Sequence, residues 1–157
     1  MFWSASTATG ADFMATVELT GFMELEDALQ RIAEIPFDVT EKALNAMAEV
    51  AAAKIKAEGL SLGVRDPESD VHILDAIKTS RAKQSAGGGY QDITFSGSRS
   101  RHGTRTRNAE IAFVNEYGKR GQAARPFIGS AMTKNETAIS APGEEIIGGW
   151  IESEFQK

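Results

Sequence analysis

The chain contains no cysteine among its 157 residues. Disulfide bonds, thiolate zinc sites and a cysteine nucleophile are therefore excluded. Histidine is nearly as scarce, because His72 and His102 are the only two, and neither has a partner at the spacing of a metal-ligand pair. A histidine metal site or a Ser-His-Asp triad would have to be built around one of them. The sequence thus predicts no catalytic, cofactor-binding or metal site, and we expect no enzyme.

Long apolar runs are also missing. No segment approaches the roughly 20 apolar residues that a membrane helix needs. Residues 1–13 lack a basic residue, so they do not have the pattern of a signal peptide. The glycine run at 87–89 is not followed by Lys-Ser/Thr and is therefore no phosphate-binding loop. We expect a protein of the cytoplasm that does not contact a membrane.

The length suits one compact domain with one hydrophobic core. Residues 1–13 are rich in Ser, Thr, Ala and Gly and are predicted to form a flexible N-terminal arm. The domain is predicted to comprise residues 14–157. It opens with a strand over residues 15–22 and a short helix over 24–35, which Pro36 ends.

A long alanine-rich helix is the strongest predicted element. Asp38 and Glu41 have capping-box spacing at its start, with Asp in the Ser/Thr role, and Gly59 is predicted to end it. Its predicted core stripe has helical spacing and consists of Leu44, Met47, Ala51 and Ile55.

Strands are predicted in the middle of the chain. After a short helical patch over residues 71–77, residues 79–85 and 90–96 flank a glycine-rich tip and indicate a β-hairpin. Residues 97–108 are polar and basic and are interpreted as a loop. Residues 109–115 are almost entirely apolar, which favours a central strand. With the N-terminal strand this gives a small, mainly antiparallel sheet of about four strands.

Helices are predicted again at the C-terminal end. Pro126 suits the first position of a helix, where its missing N–H costs nothing, and this helix is predicted to run to about Ile139. Pro142 and Gly143 are expected to interrupt it before a last helix. The order of elements predicts an α+β domain in which the sheet packs against the alanine-rich helix and the C-terminal helices.

Charge is spread unevenly along the chain. The net charge of −5 divides into −8 for residues 1–80, +7 for residues 81–134 and −4 for residues 135–157. This acid–base–acid polarity suits a subunit that meets copies of itself, or partners, through complementary patches. An uneven surface without a partner is the alternative interpretation.

The basic segment contains four arginines within nine residues, which are Arg99, Arg101, Arg105 and Arg107. Because no aromatic residue lies between them, a nucleic acid would be contacted at its phosphates and not by base stacking. A solvated loop, or a loop that pairs with the acidic segments of a neighbouring copy, explains the same run. A protein built mainly to bind DNA is more often basic overall, and this one is not.

One block of sequence resembles a known family. Residues 109–118, AEIAFVNEYG, are followed by ARPF at 124–127 and by an alanine four residues later. This order is similar to that of the tail-completion (neck) proteins of lambda-like long-tailed bacteriophages, the family named after a tenth gene product. Its pattern is an apolar strand ending in Glu, an aromatic residue and Gly, then a loop to Ala-Arg-Pro-Phe and a helix with Ala. The matching residues are Glu116, Tyr117, Gly118, Ala124, Arg125, Pro126, Phe127 and Ala131.

The resemblance covers most of residues 15–140, although only the block at 109–131 is distinctive. It implies a non-enzymatic virion protein that forms a six-fold homo-oligomeric ring at the head-proximal end of the tail, after assembly in the host cytoplasm. The ring would contact adjacent neck, head-connector and tail-tube proteins. A separate hypothesis, motivated by charge alone, is that the arginine run faces the lumen of this ring and touches phage DNA in transit. One alternative is a tail-terminator or head-closure protein of the same neck, and another is a nucleic-acid-binding module that uses residues 99–107.

Two local expectations concern the matching block. Phe127 is expected to bury its ring against the sheet, which stabilises the fold by roughly 2 kcal/mol. Glu116 and Arg125 bracket the same loop and are expected to pair.

Overall fold

The computed structural model describes residues 29–30, 34–64, 72–86, 88–101 and 103–156. The arm predicted over 1–13, the strand predicted over 15–22 and most of the helix predicted over 24–35 lie outside these residues. Of that helix, residues 29, 30, 34 and 35 are described. The first two are helical, whereas the last two are not.

The predicted alanine-rich helix is confirmed as α1, Phe37–Ser61. Pro36 precedes its first turn, and no side chain caps it, so the predicted capping box is wrong. Asp38 instead lies within the first turn, where it forms an ion pair with Lys42 at 3.6 Å. Four of the six buried residues of α1 are Ala or Gly, while Leu44 and Met47 of the predicted stripe are half-buried. Its buried residues are Val39, Ala43, Ala48, Ala51, Ile55 and Gly59.

Gly59 does not end α1, contrary to the prediction, because the helix continues to Ser61. A Cβ atom on Gly59 would lie 2.5 Å from Cδ2 of Leu74 and 3.1 Å from Cδ2 of Phe127. The glycine therefore permits close approach of α1 to the core and is not a stop signal.

The predicted hairpin is confirmed. It follows a short 3₁₀ helix, Ile73–Ala76, which lies within the helical patch predicted over residues 71–77. It consists of two antiparallel ladders along the same pair of arms. In one ladder β1 (Ile77–Thr79) pairs with β4 (Ile93–Phe95), and in the other β2 (Lys83–Ser85) pairs with β3 (Gly88–Tyr90).

The prediction of a loop over residues 97–108 is wrong, because most of these residues form a second antiparallel hairpin. Its strands are β5 (Ser98–Arg101) and β6 (Thr104–Arg107), and Gly103 in the turn has a φ of 80°. Arginine alternates with Ser or Thr along both strands. That period of two fits a strand, although neither face is apolar. Within the described residues, the strands form three two-stranded antiparallel pairs and not one sheet of about four strands.

The strand predicted over residues 109–115 is also wrong. These residues belong to α2, Asn108–Tyr117, which follows directly after β6. Its buried residues recur at helical spacing and are Asn108, Ala112, Asn115 and Glu116. Phe113 and Tyr117 lie on the exposed side, which a strand buried on both faces would not have.

Two further helices complete the described chain. α3 is Phe127–Lys134, directly after Pro126, and α4 is Glu136–Phe155. The start at Pro126 is thus confirmed to within one residue, whereas the helix predicted to reach about Ile139 is divided in two at Asn135.

The predicted interruption of the C-terminal helix is wrong, because α4 runs continuously through Pro142. Proline removes one backbone hydrogen bond from a helix interior, but α4 packs extensively against α1. Gly143 is buried, and a Cβ there would collide with the side chain of Met47. The Pro-Gly pair therefore marks a close helix–helix contact.

The core lies where α1 meets α3, the 3₁₀ helix and the first hairpin, and Ala112 of α2 joins it. α1 packs against α3, α4, β1 and β3, so it is the central element of the described fold. The arrangement confirms the predicted α+β class. The buried core residues are Ile55, Val64, Ile73, Leu74, Ala112, Phe127 and Ala131.

The close approach at Gly59 leads to a first prediction. Gly59→Ala is expected to destabilise the protein, because overpacking a filled core costs about 1–3 kcal/mol. This exceeds the gain of up to about 1 kcal/mol that alanine brings to a helix interior. Gly148→Ala in α4 is the matched control, since a Cβ there meets nothing within 4 Å. Urea denaturation should show the control at least as stable as the wild type, and a stabilised Gly59→Ala variant would contradict the packing described.

Candidate interaction surfaces

The described residues hold no candidate metal centre and no candidate membrane span. No group of three His, Cys, Asp or Glu side chains among them is placed to hold a metal ion. His72 immediately precedes the 3₁₀ helix and is half-buried. None of the helices described is long and apolar enough to span a membrane.

Glu116 of the matching block joins α2 to α3. Its side chain is 9% exposed. Its Oε2 accepts a hydrogen bond from the backbone N–H of Ile128 at 2.8 Å, and its Oε1 accepts one from Gly129 at 2.8 Å. The carboxylate thus caps the first turn of α3, where the helix dipole favours a negative charge.

Arg125 does not pair with Glu116, contrary to the prediction. Its Nη1 donates to the backbone oxygen of Gly63 at 2.8 Å, just beyond the end of α1. Its backbone N–H donates to the backbone oxygen of Asn115 at 2.6 Å. Arg125 therefore ties the loop between α2 and α3 to both preceding helices.

Gly118 and Phe127 complete this junction. Gly118 has a φ of 76°, and a Cβ there would lie 2.9 Å from the backbone nitrogen of Ala124, so the turn requires glycine. Phe127 and Ala131 are fully buried. The ring of Phe127 meets that of Phe95 edge-on, with centroids 5.8 Å apart, which confirms the predicted burial against the strands. The matching block is mainly a device for joining α2 to α3, with Ala124 and Pro126 exposed in the connecting loop.

Tyr117 is the exception within the block. It is 69% exposed and pairs with Phe113, which is 62% exposed, at a ring-centroid distance of 4.7 Å. The sequence interpretation missed this aromatic pair because a central strand would have buried both rings. Their spacing of four residues was the available signal. Aromatic residues are enriched at the centres of protein interfaces, and two adjacent exposed rings are therefore a candidate contact.

The second hairpin distributes the predicted arginine cluster over different positions. In its register Ser98 pairs with Arg107, Arg99 with Thr106, Ser100 with Arg105 and Arg101 with Thr104. Since paired residues share a face and successive residues alternate, Arg105 and Arg107 share a face with Ser98 and Ser100. Arg99 lies on the other face. The four arginines are thus not one patch.

The two faces also differ in exposure. Arg99 is half-buried, and its Nε and Nη2 atoms are buried without a hydrogen-bond partner among the residues that the structure describes. Arg105 and Arg107 are exposed and line an open depression of about 460 Å³ together with Gly97 and Ser98. Nε of Arg105 donates to Oγ of Ser98 at 2.6 Å, which orients the guanidinium group.

Two of the four acidic side chains of α1 form ion pairs, Asp38 with Lys42 and Glu58 with Lys134. Glu58 accepts hydrogen bonds from Nζ of Lys134 at 2.6 Å and from Oγ of Ser130 at 2.7 Å. The bond from Lys134, and then that from Ser130, lower the pKa of Glu58 below its usual value. By contrast, Glu144, Glu145 and Glu152 of α4 are exposed.

Comparison with known proteins gave no further assignment, because no protein-family model, curated protein or solved structure matched the chain.

Proposed function

We propose that the chain is a structural subunit of a tailed-phage virion, a tail-completion protein that forms a ring at the junction of head and tail. The observation that carries the proposal is the block at residues 109–131, with its order Glu-Tyr-Gly, then Ala-Arg-Pro-Phe and Ala. Most of these residues hold the α2–α3 junction together. A motif of this kind is expected in a protein that works by assembly.

The described surface supports assembly through two different patches. α4 presents the exposed glutamates Glu144, Glu145 and Glu152, and α2 presents the aromatic pair Phe113 and Tyr117. A ring closes when each subunit places one patch on a different patch of the next subunit. Complementary charges fix the register of such contacts and speed encounter. The proposed partners are further copies of this chain and the neighbouring neck, head-connector and tail-tube proteins.

A tail-terminator or head-closure position in the same neck is the nearest alternative. All three positions require a non-enzymatic ring, so the surfaces described above serve each of them equally. The position is read from the particles that accumulate when the protein is missing.

The test is a phage genome in which an early stop codon interrupts the gene for this chain. The proposal predicts filled heads and separate tails in the lysate, and a drop in plaque number of several orders of magnitude. Expression of the chain from a plasmid should restore both joined particles and plaques. Plaque formation at the wild-type level without the chain would refute the proposal.

The same complementation assay leads to a second prediction, on the exposed aromatic pair. A double variant, Phe113→Ser with Tyr117→Ser, is expected to keep its thermal stability, because both rings are largely exposed, but to fail to restore plaques. Met132→Ser is the control, since Met132 is an apolar side chain on α3 that is 42% exposed. Full complementation by the double variant would exclude the pair from the assembly contacts.

A further inference from the structure

The face of the second hairpin that carries Arg105 and Arg107 has two exposed guanidinium groups that are free to bind an anion. Both side chains are exposed, and neither forms an ion pair with any residue that the structure describes. Four lysines of the described chain are, in contrast, neutralised by acidic partners within 4 Å: Lys42, Lys56, Lys83 and Lys134. The two arginines therefore present unpaired positive charge on one side of β6.

Their geometry suits a ligand with repeated negative charges. Residues two apart on an antiparallel strand are separated by about 6.8 Å and point the same way. The hydrogen bond from Nε of Arg105 to Ser98 leaves the terminal nitrogens of that guanidinium for a ligand. A guanidinium fork binds phosphate oxygens in pairs, and the open depression beside the fork admits such a group.

We infer that this face binds the phosphodiester backbone of a nucleic acid, without reading its base sequence. The four side chains of the face are two arginines and two serines, Ser98, Ser100, Arg105 and Arg107. None of them offers a ring on which a base can stack, so the contact is made to phosphates. The inference is drawn from the hairpin alone and does not depend on the proposed virion function.

An acidic helix of a second copy fits this face less well. Two carboxylates face the same way on a helix when they are three, four or seven residues apart. The glutamates of α4, at positions 136, 144, 145, 152 and 154, include no pair at three or four. The pair at seven, Glu145 and Glu152, is separated by about 10.5 Å along the helix, which exceeds the spacing of about 6.8 Å between the two arginines. A phosphodiester chain, in contrast, carries one negative charge at every nucleotide.

The experiment measures binding of the full chain to a fluorescein-labelled 20-base-pair duplex by anisotropy between 50 and 200 mM salt. The test variant is Arg105→Gln with Arg107→Gln. The control is Lys119→Gln with Arg120→Gln, which removes the same charge from two exposed residues in the turn after α2. Loss of two phosphate contacts should reduce the slope of log K against log salt by about 1.8. The ratio of the affinities at 50 and 200 mM salt should therefore be roughly twelvefold smaller in the test variant than in the wild type. The control should keep the wild-type slope.

Three outcomes would overturn the inference. In the first outcome, the wild-type chain fails to bind the duplex. In the second, both double variants lose affinity equally, which would mean that binding is general charge attraction. In the third outcome, the test variant binds normally but changes its mass in sedimentation velocity, which would make the face a contact between copies. Equal thermal unfolding temperatures show that the variants are folded. A failed stop-codon test with intact duplex binding would refute only the virion function.

Discussion

Phe127→Ala is expected to lower the free energy of unfolding by about 3–5 kcal/mol, the range for removing a buried aromatic ring. The ring is fully buried, contacts Phe95 edge-on and lies against the backbone of α1 at Gly59. Its loss leaves a cavity at the point where α1, α3 and the first hairpin meet. The melting temperature should fall by about 10 °C, because 1 kcal/mol corresponds to about 2–4 °C in a chain of this size.

The control for this prediction is Phe155→Ala, near the end of α4, where the ring is 51% exposed. Surface substitutions usually change stability by no more than about 0.5 kcal/mol. Chemical denaturation of both variants beside the wild type measures the difference. If Phe127→Ala cost no more than Phe155→Ala, the core would not be centred on this ring.

Glu116→Ala is expected to destabilise the protein by about 2–3 kcal/mol. The substitution removes a charged acceptor from two backbone N–H groups, and a hydrogen bond to a charged group contributes about 1.5–3 kcal/mol. Glu116→Gln should retain part of this stability, since its one amide oxygen still accepts one hydrogen bond. Local effects should be largest at the start of α3, because the unpaired donors belong to Ile128 and Gly129.

Hydrogen exchange separates this cap from a general loss of charge. The amide protons of Ile128 and Gly129 should exchange faster in Glu116→Ala than in the wild type. Glu110→Ala removes the same charge from an exposed position on α2 and should leave both amides protected. Unchanged protection in Glu116→Ala would show that the carboxylate does not hold the first turn of α3.

Periodicity predicted the elements with an apolar face. The alanine-rich helix and the first hairpin were found because Ala51 and Ile55 repeat at helical spacing, while Ile93 and Phe95 alternate with polar residues. The second hairpin was missed because its alternation is entirely polar. The segment 109–115 was misassigned because a short apolar run is compatible with either a strand or a helix. Only the packing of Ala112 and Glu116 against neighbouring elements decides for the helix.

The candidate surfaces depend on information that composition does not contain. Four arginines close together in the sequence suggest one patch. The register of β5 and β6, however, places Arg99 on the opposite face of the hairpin from Arg105 and Arg107. The partner of Glu116 is likewise set by tertiary structure. Arg125 is a charged neighbour in sequence, but the carboxylate of Glu116 instead binds the backbone at the start of α3. The role of Gly59 could not be predicted for the same reason. In the sequence, a glycine near the end of a helix pattern resembles a stop signal, whereas in the structure it makes room for the side chain of Leu74.

The central claim is that this chain acts as a fixed part of a virion, and its position in the particle tests that claim most directly. Purified particles that carry the chain with a C-terminal tag can be labelled with gold and imaged by electron microscopy. We expect the label at the point where the tail meets the head. Particles that form normally and carry no label, with the chain recovered only as free protein, would contradict it.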